Sequence, residues 1–197
     1  AEYLAQIPSE KKIIIIPGNH DAARLSEPQL KIKKQYAKTL HELPNTILLS
    51  NPARIKINVQ GVGFEFLIYH GYSYTYYGNC VESIRTSGKT MSERADLIMQ
   101  FLLQKRHLAP SYSSTLYIPD KEKDPLVIEK TPDFFISGHF HKAEVSNYRG
   151  VSLISGSCWQ ATTSFMEKVG TEAEPAKVPI INLQTRNITI MDFSQNE

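Results

Sequence analysis

The sequence predicts a layered α/β fold, and three observations carry that expectation. Four consecutive isoleucines at 13–16 run straight into "PGNHD", so an apolar strand stops at a turn that presents an amide, an imidazole and a carboxylate. Two later apolar runs, "FEFLIYHG" at 64–71 and "DFFISGHFH" at 133–141, end in the same way, on glycine and histidine. Segments with helical spacing lie between them, so strands and helices are interleaved along the chain. Polar groups held just past the carboxyl ends of strands in a rigid sheet are where such folds usually keep their chemistry.

Taken in order, "AEYLAQIPSEKK" reads as the last turn of a helix, with Ala1, Leu4 and Ala5 at helical spacing and Pro8 breaking it. It lacks a Met, and an upstream segment is expected before it. Four β-branched apolar residues in a row predict a strand buried on both faces, which Pro17 and Gly18 then terminate. "PQLKIKKQYAKTLHEL" at 28–43 predicts a helix, because Ile32, Tyr36, Leu40 and Leu43 form a stripe with lysines opposite. "TILLS" at 46–50 and "RIKINV" at 54–59 predict strands, the second alternating through Ile55, Ile57 and Val59, and 64–71 predicts a third. From Tyr72 to Lys89 the chain is rich in Tyr, Ser, Gly and Thr without periodicity, which predicts a long loop. "TMSE" at 90–93 fits a capping box, Thr90 as N-cap and Glu93 at N3. The helix it opens carries Leu97, Ile98, Phe101 and Leu102 on one face and ends near "KRHLAP". "LVIE" at 126–129 predicts a short strand, and "AEVSNYRGVSLISGSCWQ", "VPIINLQ" and "NITIMDF" predict a closing run of strands. With no internal repeat or low-complexity tract, residues 1–197 read as one domain.

Bulk composition narrows the class. At 41% hydrophobic and 21% charged the chain is an ordinary globular one, and a formal net charge of +2 does not by itself argue for nucleic acid. Charge is uneven, however: Lys11 to Lys38 holds seven Lys or Arg against Asp21 and Glu27, a solvated face on the simplest reading. Cys80 and Cys158 form no CxxC pair, which excludes a zinc-finger spacing and a disulfide framework and favours a reducing, cytoplasmic setting. No run of about 18 apolar residues suggests a membrane span.

Asn19-His20, His70-Gly71 and Gly138-His139-Phe140-His141 together place four of the six histidines at strand ends. Alternation along an extended segment would put His139 and His141 on one side. Neutral imidazole suits Mn, Fe or Zn, and an amide or carboxylate oxygen suits the harder ions. Singly, a histidine after a strand is most often structural; the ordered set GNHD, HG and GHxH is far more specific.

That set resembles the second half of the calcineurin-like metallophosphoesterase pattern of DxH, GDxxD, GNHD, HG and GHxH. Within that superfamily the chain resembles the small subunits of archaeal D-family DNA polymerases. "IPGNHDAAR", "RHLAP", "LVIE", "SGHFHKAEVSNYRGVSLISGSCWQATTSF" and "AKVPIINL" carry the likeness across almost the whole chain. The resemblance implies a four-layer α/β/β/α sandwich, incomplete at its N-terminal side. It implies that Asn19, His70 and His139 ligate one divalent metal and His141 a second, with manganese first and Fe, Zn or Mg as alternatives. His20 would act at the scissile phosphate as a general acid or transition-state stabiliser, oriented by Asp21. The activity implied is a 3′→5′ proofreading exonuclease that hydrolyses DNA phosphodiesters at single-stranded 3′ ends by a two-metal route. Its partners would be DNA and a polymerase large subunit, with no membrane.

DxH and GDxxD do not occur in the chain, so three of one metal's usual ligands are present and only one of the other's. The chain is therefore not expected to assemble a two-metal centre alone. Two rival functions stand beside the nuclease: a non-catalytic scaffold in the same assembly, and another phosphoesterase of the superfamily. "QKRHLAPSY" places Lys105, Arg106 and His107 near Tyr112, which fits either contacts to a single strand or cations suiting a helix C-terminus. Tyr72, Tyr74, Tyr76 and Tyr77 fit either a grip on unpaired bases or a loop packed on its own rings. Trp159 reads as core or interface, and Cys158 as a buried inert thiol.

Overall fold

A computed structural model describes residues 1–168 and 170–194. At its centre is a five-stranded mixed sheet whose strands lie in the order 53–59, 62–69, 134–137, 151–155 and 144–148. Strands β3 (Ala53–Val59) and β4 (Val62–Tyr69) form an antiparallel hairpin, and β5 (Phe134–Ser137) and β7 (Val151–Ser155) continue from β4 in parallel. Strand β6 (Glu144–Tyr148) closes the edge, antiparallel to β7. Both tight hairpins turn through two residues of positive φ, Gln60-Gly61 and Arg149-Gly150, the handedness that matches strand twist and that glycine adopts without a Cβ penalty.

Alternation along these strands feeds two cores. Leu67, Tyr69, Phe135, Val151 and Leu153 face helices α2 (Tyr74–Cys80), α3 (Glu82–Arg85) and α4 (Ala95–Lys105). Phe64, Phe66, Phe134 and Ile154 face the other way, where the antiparallel hairpin of β8 (Lys177–Ile181) and β9 (Ile188–Asp192) contributes Ile181 and Ile188. Phe66 stacks on Phe134 with centroids 4.8 Å apart, and the Arg186 guanidinium lies 5.4 Å from the Phe134 centroid while pairing with Asp133 at 3.1 Å. A buried aromatic pair of this kind contributes about 0.5–1.5 kcal/mol beyond its burial. A short helix α5 (Ser164–Lys168) separates β7 from β8.

A second, two-stranded parallel sheet pairs β1 (Ile13–Ile15) with β2 (Thr46–Leu48), and α1 (Lys38–Glu42) lies in the crossover. The fold is thus mixed α/β around a mixed central sheet; a complete four-layer stack goes further than these elements carry.

Several elements differ from the sequence-based expectation. The isoleucine strand is half-buried rather than enclosed on both faces, because its sheet has two strands. The helix expected over 28–43 is reduced to Lys38–Glu42: Gln29 is buried and instead forms a bridge with Asn51, Ile32 is the one buried residue of the expected apolar stripe, and Tyr36 is exposed. The expected tyrosine loop is two helices, with Tyr74 at 0% and Tyr77 at 1% exposure in the core, which favours packing over a grip on bases for those two rings. "LVIE" makes a single bridge, His107 to Val127, and is anchored by buried Leu126 and Ile128. Trp159 is 78% exposed, not core, and the Cys158 thiol is half-buried, donating to the Gln160 carbonyl at 3.2 Å. The capping box at Thr90 and Glu93 forms as expected, opening a 3₁₀ turn that runs into α4.

Candidate functional site

The carboxyl ends of β1, β4 and β5 meet at one rim. After β1 the chain turns at Pro17-Gly18, and the turn is closed by the Asp21 carboxylate accepting the Gly18 N–H at 2.8 Å. This turn is where Asn19 and His20 project. After β4 comes His70, whose Nε2 lies 2.7 Å from Asn19 Oδ1. After β5 come Gly138, whose N–H donates to the His70 carbonyl at 3.2 Å, and then His139 and His141. The His70 and His139 rings meet edge to face with centroids 5.1 Å apart, and the Tyr72 ring stands edge-on to His139 at 6.2 Å.

His139 and His141 both have positive φ, 72° and 57°, so a turn rather than extended alternation aims them. A charge on His20 would be felt at His70, His139 and His141 alike, which places all four imidazoles in one electrostatic neighbourhood. His20 and Asp21 are exposed. Asp21 is bonded to the Gly18 amide, and no hydrogen bond joins it to His20.

Burial sets the protonation of the ring cluster. It pushes His70 down to about 4, against a smaller opposing pull from Asp21, and pushes His139 to about 4, with neighbouring imidazoles adding to the effect. His141 is lowered for the same reason. Three rings are therefore neutral near pH 7, the state in which imidazole offers a lone pair to a cation.

The donors fit part of a metal shell. Two ligand atoms each about 2.1 Å from one ion at a right angle stand about 3 Å apart, close to the Asn19–His70 separation of 2.7 Å. His141 Nδ1 is buried without a hydrogen-bond partner, an orphan that a cation would satisfy. Among the described residues, no three His, Cys, Asp or Glu side chains converge tightly enough to enclose one ion. What this rim offers is an open set of an amide oxygen and imidazoles, one that carboxylates would have to complete.

A buried amide pair that no sequence pattern announced holds the rim together. Asn51 Nδ2 donates to Gln29 Oε1 at 2.7 Å, and their backbones exchange two further hydrogen bonds at 2.8 and 2.9 Å. Asn51 Oδ1 then accepts the His70 N–H at 2.9 Å, while Gln29 Nε2 donates to the Gly18 and Arg24 carbonyls, each at 3.1 Å. Beneath it the buried carboxyl of Glu27 accepts the Tyr69 hydroxyl at 3.0 Å. On the other flank Lys142, next to His141, pairs with Glu93 at 3.0 Å and Glu174 at 3.5 Å.

The basic segment at the end of α4 is engaged within the chain. Lys105 Nζ sits 5.5 Å from the Phe101 centroid. Arg106, the left-handed C-cap of α4, donates to Thr131 Oγ1 at 2.6 Å and to the Glu129 carbonyl. His107 Nδ1 accepts the Ala109 N–H at 2.9 Å, which leaves Nε2–H to donate to Asp124 at 2.9 Å. Tyr112 is 99% exposed.

With strand ends that deliver GNHD, HG and GHxH to one rim, the chain belongs to the family of DNA polymerase alpha/epsilon B subunits, whose pattern matches residues 1–146. It is 38% identical to the DNA polymerase II small subunit of Pyrococcus abyssi over 98% of its own length and 30% of that protein's. Against the DNA polymerase II small subunit of Methanothermobacter thermautotrophicus the identity is 37%, over 92% of this chain and 36% of that one. Against that of Halobacterium salinarum it is 34%, over 98% and 36%. The chain thus spans about a third of the length of these curated relatives. Among solved structures a Vps29 single mutant from Entamoeba histolytica superposes over 92% of this chain and 97% of its own, at 15% identity and a TM-score of 0.36, too loose a likeness to bear on function. No helix among the described residues is long and apolar enough to cross a membrane.

Proposed function

We propose that this chain carries part of the active centre of a metal-dependent 3′→5′ exonuclease, the proofreading small subunit of an archaeal replicative DNA polymerase. One observation supports it above the others: Asn19, His70 and His139, from three separate strand ends, lie together with neutral rings, and His20 and His141 are close by. On this reading Asn19, His70 and His139 hold one divalent ion, manganese in the first instance, and His141 reaches toward a second. Carboxylates from outside these 197 residues complete the shells. Bound ions would neutralise the phosphodiester and lower the pKa of the attacking water.

The chain's own residues supply positioning and a proton. His20, exposed at the rim, holds or gives a proton at the leaving oxygen. Asp21 acts through the backbone, fixing the turn that carries His20. The Gln29–Asn51 pair fixes the backbone from which the His70 ring projects. Single-stranded DNA 3′ ends as substrate, a polymerase large subunit as partner, an intracellular location and a complete metallophosphoesterase sandwich belong to the same proposal.

The test uses the full-length protein bearing this chain, an end-labelled single strand and a manganese titration. Manganese-dependent release of mononucleotides is expected, slowed about 10²–10⁴-fold by His20→Ala. The open metal shell favours a second reading, a structural subunit. No release at any manganese concentration, with no manganese bound, would select it.

A further inference from the structure

A groove opens beside the GNHD turn, lined by Ala22 and Arg24 just after that turn and by Leu30, Lys31, Lys33 and Tyr36. Its volume of about 490 Å³ lies in the ordinary range of ligand clefts, about 300–1,000 Å³. We infer that this groove is the seat of a single-stranded nucleic acid, with Lys31 and Lys33 on its phosphates and Tyr36 under a base. The inference rests on the nuclease reading only for what happens to the strand, not for its binding.

Three features carry it. The first is charge without local partners. Lys34 and Lys38 share Glu42 at 4.0 Å, whereas Lys31 and Lys33 make no ion pair among the described residues. Of the two acids in the Lys11–Lys38 stretch, Glu27 is buried, and Asp21 forms no ion pair with Lys31 or Lys33 among the described residues, so seven cations there stand against one exposed carboxylate. The second is apolar surface in the same place: Tyr36 is 61% and Leu30 51% exposed, beside cations rather than in a core. Aromatic and apolar platforms among lysines are what a single strand requires, since its bases stack while its backbone is neutralised.

The third is rigidity and continuity with the rim. Arg24 is locked by two hydrogen bonds, from Nε and Nη2 to the Pro28 carbonyl at 3.0 and 2.7 Å. Gln29, next in sequence to the lining residue Leu30, bonds to the Gly18 and Arg24 carbonyls and, through Asn51, to the His70 backbone. A strand lying on Tyr36 therefore rests on a wall hydrogen-bonded to the turn that bears Asn19 and His20.

Binding is measured in EDTA, so that neither metal nor cleavage enters. A fluorescent oligo-dT is titrated with the full-length protein by anisotropy across a salt series. At 0.1 M salt each phosphate contact on a single strand is worth about fivefold through counterion release. Lys31→Ala/Lys33→Ala is expected to weaken binding about 25-fold and to reduce the slope of log K against log salt by about 1.4. Tyr36→Ala is expected to weaken it about fivefold or more with the slope unchanged. A second measurement guards against other binding surfaces on the full-length protein: an oligonucleotide carrying 5-iododeoxyuridine should photo-crosslink to the peptide containing Tyr36. Unchanged affinity and slope in the lysine variant, crosslinks confined to other peptides, or equal displacement of the strand by polyglutamate would each overturn the proposal. Wild-type protein that binds as expected but never cleaves with manganese would sink the nuclease reading and leave the groove standing.

Discussion

Gly18→Ala isolates the geometry of the candidate metal site from the stability of the fold. A Cβ built on Gly18 would stand 2.6 Å from Cε1 and 2.9 Å from Nδ1 of the His70 ring. Apolar contacts settle at about 3.5–4.0 Å, so the imidazole would have to retreat by about 1 Å. Gly18 is not in the left-handed region, and alanine meets no backbone strain there. A shift of that size cannot leave intact both the 2.7 Å contact of His70 Nε2 with the Asn19 oxygen and the edge-to-face packing on His139, whose centroid is 5.1 Å away. A displacement of that size at a reacting centre costs on the order of 100-fold in rate, while the fold loses no more than about 1–3 kcal/mol to the added methyl. In the full-length protein, Gly18→Ala is therefore expected to weaken manganese binding, followed by electron paramagnetic resonance, and to lower nucleotide release by about two orders of magnitude. The far-ultraviolet spectrum should be unchanged. Wild-type manganese affinity and release in this variant would refute the assignment of His70 as a ligand, since no other contact of the new methyl group is as close.

The remaining predictions follow from the same contacts. Burial raises the Glu27 carboxyl from 4.5 to about 7, so the native state keeps a proton that the unfolded chain releases. Stability is then full below about 4.5 and falls as pH rises toward 7, by about 3 kcal/mol in total; Glu27→Gln should flatten the denaturation midpoint between pH 5 and 8, and an unchanged pH slope would contradict it. Asn51→Ala removes the acceptor of the His70 N–H and leaves the buried Gln29 Oε1 without its donor; a loss of about 1–3 kcal/mol is expected by chemical denaturation, together with reduced manganese affinity. Arg106→Ala should cost about 1–2 kcal/mol in thermal unfolding through its lost bonds to Thr131 and Glu129. Lost strand affinity with unchanged stability would instead make Arg106 a phosphate contact.

How far the sequence discloses this molecule depends on the range of the forces at each position. Period-two alternation at Ile55 and Ile57, and the runs ending at His70 and His139, are local signals. The structure returns them as β3, β4 and β5 with the expected ends. The Thr90–Glu93 box is equally local and forms. The tyrosine segment departs from expectation for the opposite reason. Gly, Ser, Thr and Tyr are poor helix formers, and the helices over 74–85 exist because Tyr74, Tyr77 and Ile84 find a core against Ile98, Met99 and Leu102, which are distant in sequence. Residues 28–43 mislead in the other direction: a true helical periodicity is overruled by a buried glutamine whose polar partners lie elsewhere in the chain. No single-sequence signal marks Gln29 or Asn51, since a buried amide pair is defined only once both halves are in place.

The candidate site shows the same division at finer grain. Each histidine is visible because it follows an apolar strand, and the topology that brings β1, β4 and β5 to one rim is implicit in their shared ending. The basis for pairing His139 with His141 differs from the one expected: positive φ at both residues aims them, so the spacing of the motif encodes a turn, not a strand. A turn has no ladder to hold it, and here the charge pairs of Lys142 with Glu93 and Glu174 stand in for one, tying the His141 loop to the start of the α4 region and to the approach to β8. Glu93 is thus shared between the capping box and this loop, and its carboxyl is held down to about 2 chiefly by the Thr90 amide, with Lys142 adding to it. The helix cap and the candidate ligand loop therefore depend on one carboxylate, which explains physically why a local helix-start signal sits opposite a histidine turn nearly fifty residues away in the chain.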